Sequence, residues 1–347
     1  FYAESGGQVG DVGVIKSENF KGNVLDCKKL KISSDKEFFL HKTKISFGMV
    51  KKSEQCDLIM DKNNRLEISS HHSSTHLLHE ALRQKLGLHV EQKGSLVTSE
   101  RLRFDFSHNK PIEQEEINII ENIVNTKILE KEKISTQIMT PDKAIKKGAI
   151  ALFGEKYGSE VRVVSMGGKS ENDRIAWSVE LCGGTHLKDT SEAILFKIIQ
   201  ETGVSSGVRR IEAVTRKSAI NFYKNRHDIL GQIINKLNSQ PNIIINKIDQ
   251  LINENGQLKT SINKLKNEVL TQNETDSSIN LNGIKFDAKI YEELLPKDLK
   301  SYAEKLLNSK KLDIVCILSK FNNKVSSVVT INKDIIKKFN AVELVNI

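Results

Sequence analysis

Ser69-Ser70-His71-His72-Ser73-Ser74-Thr75-His76-Leu77-Leu78-His79 places four histidines within nine positions. The spacing predicts a helix from about His71 to Leu86, with Ser69 or Ser70 as N-cap and Gly87 just past the end. His72 and His76 are four apart, so both rings leave one face one turn apart, the geometry by which two imidazoles grip one metal. Alone, such a pair is more often two exposed or core histidines than a ligand pair. His71 points roughly 100° away from His72. His79 shares the ligand face but lies a turn too far along.

Cys182-Gly183-Gly184-Thr185-His186 changes the balance. It sets a thiolate and an imidazole on a glycine-loosened turn directly after an apolar strand, Ala176 to Leu181. Two nitrogens from a helix with one sulfur and one nitrogen from a loop are the mixed set that tetrahedral zinc prefers. His72, His76, Cys182 and His186 are therefore the expected metal ligands.

Outward from these motifs the chain reads as α+β and modular, because single cores stop growing near 250–300 residues and this chain has 347. Residues 1–63 are short β-type runs broken by glycines, and a small β-barrel is expected there. Residues 64–216 form an α/β unit around the metal motifs. In it, strands are expected at Gly94 to Val97, Leu102 to Phe106 and Val161 to Ser165. A second long helix should start at Pro111 and bury Ile117, Ile120, Val124 and Ile128. Over residues 217–271 the period changes to heptads. One seam runs Ile220, Tyr223, His227, Leu230, Ile234, Leu237 and the other Ile248, Leu251, Asn255, Leu258, Ile262, Leu265, Val269. The break at Pro241 makes an antiparallel helical hairpin the expected arrangement, with intermolecular pairing as its competitor. Residues 277–347 read as a small α/β unit.

Composition limits the function classes. With 38% apolar and 28% charged residues, and no apolar run near the ~18 that a membrane helix needs, the chain reads as soluble. Cys27, Cys56, Cys182 and Cys316 lie far apart without a Cys-x-x-Cys pair, and no secretory signal opens the chain, so a disulfide-free, cytoplasmic protein without membrane partners is expected. The net charge of +9, of which residues 217–347 carry +6, suits a polyanionic partner. Surface solubility accounts for the same charge equally well.

Seven segments, in order, resemble the editing region of the alanyl-tRNA synthetase family. They are Phe1 to Asp11, His72 to His79, His89 to Val97, Arg101 to His108, Ala151 to Gly158, Cys182 to His186 and Ser206 to Thr215. The resemblance covers residues 1–216, and the heptads with the terminal unit resemble the start of that family's carboxyl-terminal tRNA-binding domain. Phe1 enters a motif directly, so a piece of a longer chain is expected. The upstream aminoacylation domain, with its ATP and magnesium, and the glycine-rich segment expected after Glu343-Leu344-Val345-Asn346 lie outside it. His71 stands where the family usually has Asn.

The resemblance implies an ester hydrolase that removes Ser or Gly from mischarged alanine tRNA as part of an alanine-tRNA ligase, with a free-standing trans-editing hydrolase and a non-catalytic, zinc-stapled tRNA-binding module as the alternatives. A pocket built for alanine cannot shut out smaller glycine and rejects an added hydroxyl only weakly, so a second site is needed. Zinc on the four ligands would position the serine hydroxyl and amino group or polarise a water. Gln92 matches a family position lining this pocket, where its amide can donate to the ester carbonyl or hold the attacking water. Gly6 and Gly7 are candidate substrate or tRNA contacts through positive-φ backbone, with a tight turn as the plain alternative. Arg209 and Arg210 are candidate phosphate contacts, or a solvated pair. The expected partner is tRNA(Ala), and a homodimer of the full-length protein is compatible with the resemblance.

Overall fold

Asp61, rather than Ser69 or Ser70, starts the histidine helix. In a computed structural model of the chain, helix α1 (Lys62–Leu86) is capped by the Asp61 carboxylate, which accepts from Asn63 and Asn64 N–H, and it ends at Gly87. The serines expected as caps lie a full two turns inside it. The structure describes residues 1–33, 36–150, 158–168, 175–272, 277–292, 294–335, 339, 341 and 344. It divides into two units, Phe1–Asn238 and Ser239–Ile347.

The amino-terminal strands β1 (Gly13–Lys16), β2 (Phe20–Ser33), β3 (Lys36–Gly48) and β4 (Asp57–Met60) form an antiparallel sheet in the order β3-β2-β1-β4. The sheet is open, which corrects the expected barrel. The reason is length: β2 and β3 have 14 and 13 residues, β1 and β4 only four each, so β4 does not reach back to pair with β3. The glycines serve close approach instead. A side chain at Gly10 would collide with the Cys27 backbone.

The second sheet holds β5 (Gln92–Val97), β6 (Leu102–Ser107), β10 (Phe196–Ser205) and β11 (Val208–Thr215) in the order β10-β11-β6-β5. Alternation turns Phe104, Phe106, Ile211 and Ala213 to one face, where they meet Leu77, Leu78, Ala81 and Leu82 of α1 in a single core. Helix α2 (Gln114–Leu129) adds Ile120, Val124 and Ile128 to it, as the stripe predicts. Pro111 is not its first residue. Glu113 is the N-cap, with the Glu116 carboxylate accepting from its N–H at 3.1 Å.

A third sheet holds β7 (Ser135–Met139), β8 (Val161–Met166) and β9 (Ser178–Leu181), of which β8 and β9 are covered on both faces while β7 is mostly exposed. Val164 and Met166 join the α1 core, while Val163 and Val179 pack in a separate cluster with Ala144 of α3 (Pro141–Lys146). Glu180 pairs with Val164 across β8–β9. The pleat therefore sends this carboxylate to the α1 side.

The heptad segment forms two helices broken at Asn238–Ile243, α4 (Arg216–Leu237) in the first unit and α5 (Ile244–Gln272) in the second. Asn238 ends α4 in the left-handed conformation. In the second unit, β12 (Ile279–Leu281), β13 (Ile284–Glu292), β14 (Ile314–Phe321) and β15 (Lys324–Ile331) form a sheet. Its β13–β14 pair is parallel and joined through α6 (Pro296–Ser309), whose Leu299, Tyr302, Ala303 and Leu306 pack on Val315 and Ile317. The described residues of this segment thus combine a mixed sheet with one helix packed on it. No helix among the described residues is long and apolar enough to cross a membrane.

Candidate metal centre

Helix α1 is buried without interruption from Ile68 to Leu82, although much of that run is polar. Burial of polar groups is tolerated only when each finds a partner, and most here do. The Ser70 and Thr215 hydroxyls pair at 2.7 Å, and Ser69 donates to the Thr185 hydroxyl at 2.9 Å. Thr215 N–H donates to His71 Nε2 at 3.1 Å, so the other ring nitrogen, Nδ1, donates to Thr98 C=O at 2.9 Å. Burial pushes the His71 pKa down to about 4. His71 is a neutral staple between elements, pointing away from the ligand set as its position predicts.

His72, His76, Cys182 and His186 come together, with one donor atom from each within 4.8 Å of all the others. Cys182 Sγ lies 3.3 Å from His72 Nε2 and 3.3 Å from His186 Nε2. Those separations are close to the roughly 3.5 Å edge of a tetrahedron with bonds of about 2.0–2.3 Å. His76 Nε2 is buried and has no hydrogen-bond partner among the described residues. A buried, unpartnered imidazole nitrogen beside a thiolate and two further imidazoles is costly to leave unsatisfied, and the donor set fits zinc.

Every ring is held from behind. His72 Nδ1 lies 2.7 Å from Gln8 Oε1, His76 Nδ1 2.7 Å from Glu180 Oε2, and His186 Nδ1 3.2 Å from Ser73 Oγ. Outer contacts of this kind orient a ligating histidine and fix its tautomer. Arg162 of β8 clamps the loop by donating to Cys182 C=O at 2.9 Å and Gly184 C=O at 2.7 Å. Gly184 is required by space: a Cβ there would overlap the His72 ring. Among the described residues nothing lies within 4 Å of a Cβ placed on Gly183.

The electrostatics follow from this packing. Burial opposes charge on His76, but the Glu180 carboxylate and the Cys182 thiolate outweigh it and raise its pKa to about 10. Burial likewise opposes ionisation of Cys182 and Glu180. The histidines prevail at both, His72 and His76 lowering the thiol and His76 and His79 the carboxylate. His186, desolvated and beside His72, falls to about 3. A buried thiolate and a buried carboxylate set among imidazoles form a centre that favours positive charge, which His76 carries here as an imidazolium.

The remaining candidates make contacts of their own. Gln92 opens β5 opposite Phe106, and among the described residues no hydrogen bond joins its amide to the four ligands. Gly6 and Gly7 both take positive φ, at 58° and 82°, and a side chain on Gly7 would strike Ser95 C=O. Arg209 and Arg210 make bidentate ion pairs with Glu201 and Asp105. Most of the motif Ala151 to Gly158 falls outside the described residues.

Gln8, Ser73, Arg162 and Glu180 were not singled out from sequence. Glu180 did carry a signal, since a carboxylate in a strand expected to be buried demands a partner. Gln8 carried none beyond following two glycines.

Comparison with known proteins shows what the chain is similar to. The family described as "Threonyl and Alanyl tRNA synthetase second additional domain" matches residues 161–212, which contain both loop ligands and Glu180. The alanine–tRNA ligase of Granulibacter bethesdensis is 38% identical over 99% of this chain. Along its whole length the chain is similar to part of the alanine–tRNA ligases. The ligase of Sinorhizobium medicae is 40% identical over 100% of the chain. The chain spans 39% and 40% of the length of these two ligases, so the likeness extends beyond the metal centre but covers under half of either relative.

Proposed function

We propose that residues 1–216 form an editing site that hydrolyses Ser-tRNA(Ala) and Gly-tRNA(Ala), within a piece of an alanine–tRNA ligase whose aminoacylation domain lies elsewhere. The observation that supports this best is the convergence of His72, His76, Cys182 and His186, inside a chain similar throughout to alanine–tRNA ligases. Zinc, when bound, would supply a fixed positive centre for the amino acid's polar groups or for a water. The protein's own part is to hold three Nε2 atoms and one thiolate toward a common point and to exclude bulk water from them. Gln92 would present its amide to the ester carbonyl or to the attacking water. Gly6 and Gly7 would let backbone approach the aminoacylated end, while Arg209 and Arg210 would exchange a carboxylate for a phosphate. Residues 217–271 are proposed as a helical hairpin linker and residues 277–347 as part of a tRNA-binding domain.

The test compares the protein with Cys182→Ala and Gln92→Ala for deacylation of Ser-tRNA(Ala) and Ala-tRNA(Ala), zinc content and tRNA affinity. Cys182→Ala should lose zinc and serine release together. Gln92→Ala should lose serine release with its zinc intact. Both should bind tRNA nearly as the parent does, with affinity falling as salt rises, because binding rests on dispersed phosphate contacts. Equal hydrolysis of both esters by the parent would end the editing reading.

A further inference from the structure

Gln8 lies in the glycine-rich loop before β1, far in sequence from every ligand, yet its side chain is fully buried against the metal centre. The loop is pinned there by backbone bonds, Val97 N–H to Gly7 C=O at 2.7 Å and Val9 N–H to Val97 C=O at 3.1 Å. Gln8 Oε1 faces Thr185 N–H at 2.9 Å and His72 Nδ1 at 2.7 Å, and its Nε2 donates to the Thr185 hydroxyl at 2.9 Å.

This pattern fixes a proton. A backbone N–H can only donate, so the atom facing Thr185 N–H must be the amide oxygen and not its nitrogen. An oxygen that only accepts obliges His72 Nδ1 to donate. In a neutral ring, Nε2 then carries the lone pair, and it is Nε2 that lies beside Cys182 Sγ. His76 is set in the same sense by the acceptor-only Glu180 carboxylate. His186 differs, because its partner Ser73 Oγ is a hydroxyl that can give or take a proton.

We propose that Gln8 is a positioning residue of the metal centre, holding His72 in the tautomer that offers Nε2 and so making the glycine-rich loop part of the site. This rests on the metal reading above, and its reach is wider than one ring. The same amide carbonyl holds Thr185 of the ligand loop, so one side chain couples the helix ligand, the Cys182–His186 loop and the loop carrying Gly6 and Gly7. Coupling is reciprocal: zinc loading should slow amide exchange at Gly7, Gln8 and Val9.

The experiment uses the full chain and two variants. Gln8→Met keeps the volume and deletes the acceptor. Gln8→Glu keeps an acceptor facing both His72 Nδ1–H and Thr185 N–H. Zinc affinity is read by chelator competition, and the His72 tautomer by long-range proton–nitrogen NMR on the zinc-free protein. Gln8→Met should bind zinc about 10–100-fold more weakly and lose the Nδ1–H preference, whereas Gln8→Glu should keep the tautomer and most of the affinity. A zinc-free parent with its His72 proton on Nε2 would overturn the proposal, and that spectrum needs no variant to fold. So would a Gln8→Met protein matching the parent in both readouts, or a Gln8→Glu protein failing as Gln8→Met does. A parent that binds no zinc would remove the metal reading, while its tautomer spectrum would still decide the part assigned to Gln8.

Discussion

Glu180 accepts a hydrogen bond from His76 Nδ1 at 2.7 Å on one carboxylate oxygen and from His79 Nδ1 at 2.9 Å on the other. The two histidines are three residues apart on α1, and the carboxylate comes from β9, two residues before Cys182. One buried group therefore aligns a helix ligand and ties the helix to the strand that leads into the ligand loop. His79, a turn past the ligand pair, takes part in the centre through this carboxylate.

Glu180→Ala should destabilise the protein by about 3 kcal/mol or more, since it strands buried imidazole N–H groups. It should also weaken zinc binding about 10–100-fold. Glu180→Gln should fall between, because an amide has one acceptor oxygen for two donors. Urea unfolding with and without zinc checks both. A Glu180→Ala protein as stable as the parent and equally tight for zinc would show that the carboxylate is not needed.

The two glycines of the ligand loop should behave differently. Gly184→Ala puts a methyl group into the space of the His72 ring and 2.8 Å from Gln8 Oε1, so zinc content should fall sharply. Gly183→Ala meets nothing within 4 Å among the described residues and should keep its zinc. Metal analysis of the two purified variants is sufficient. Equal loss in both would mean that loop flexibility, not space, is what the glycines supply.

Asn125 on α2 bridges to β10, donating to Phe196 C=O at 2.9 Å and accepting from Phe196 N–H at 2.9 Å. Asn125→Ala should cost about 1–3 kcal/mol by leaving both backbone groups unpaired beside the core. Chemical denaturation should show this with zinc content unchanged, because neither bond involves any of the four candidate ligands.

Arg209 and Arg210 already occupy carboxylates, so a phosphate has to compete with Glu201 and Asp105. Replacing either arginine with alanine should lower stability, and each should reduce the salt dependence of tRNA binding by less than one ion. A full one-ion change with stability intact would place that arginine on the RNA.

Much of this architecture is legible along the chain because it depends on local periodicity. The stripe Ile120, Val124, Ile128 marked α2, the break at Pro241 separated α4 from α5, and the four residues that converge as a candidate metal site stood out by residue type and spacing. Helix α1 begins nine residues before His71 because the Asp61 cap wins over the serines, which are taken up by tertiary hydrogen bonds. The open amino-terminal sheet escaped the sequence because strand pairing is non-local, and glycine-broken β runs are compatible with either closure. Tertiary structure alone decided what stands behind each ligand. Gln8 and His72 are 64 positions apart, and His76 and Glu180 are 104 apart. A hydrogen bond between such residues leaves no periodic trace, because its geometry exists only after three separate elements have packed around one buried helix.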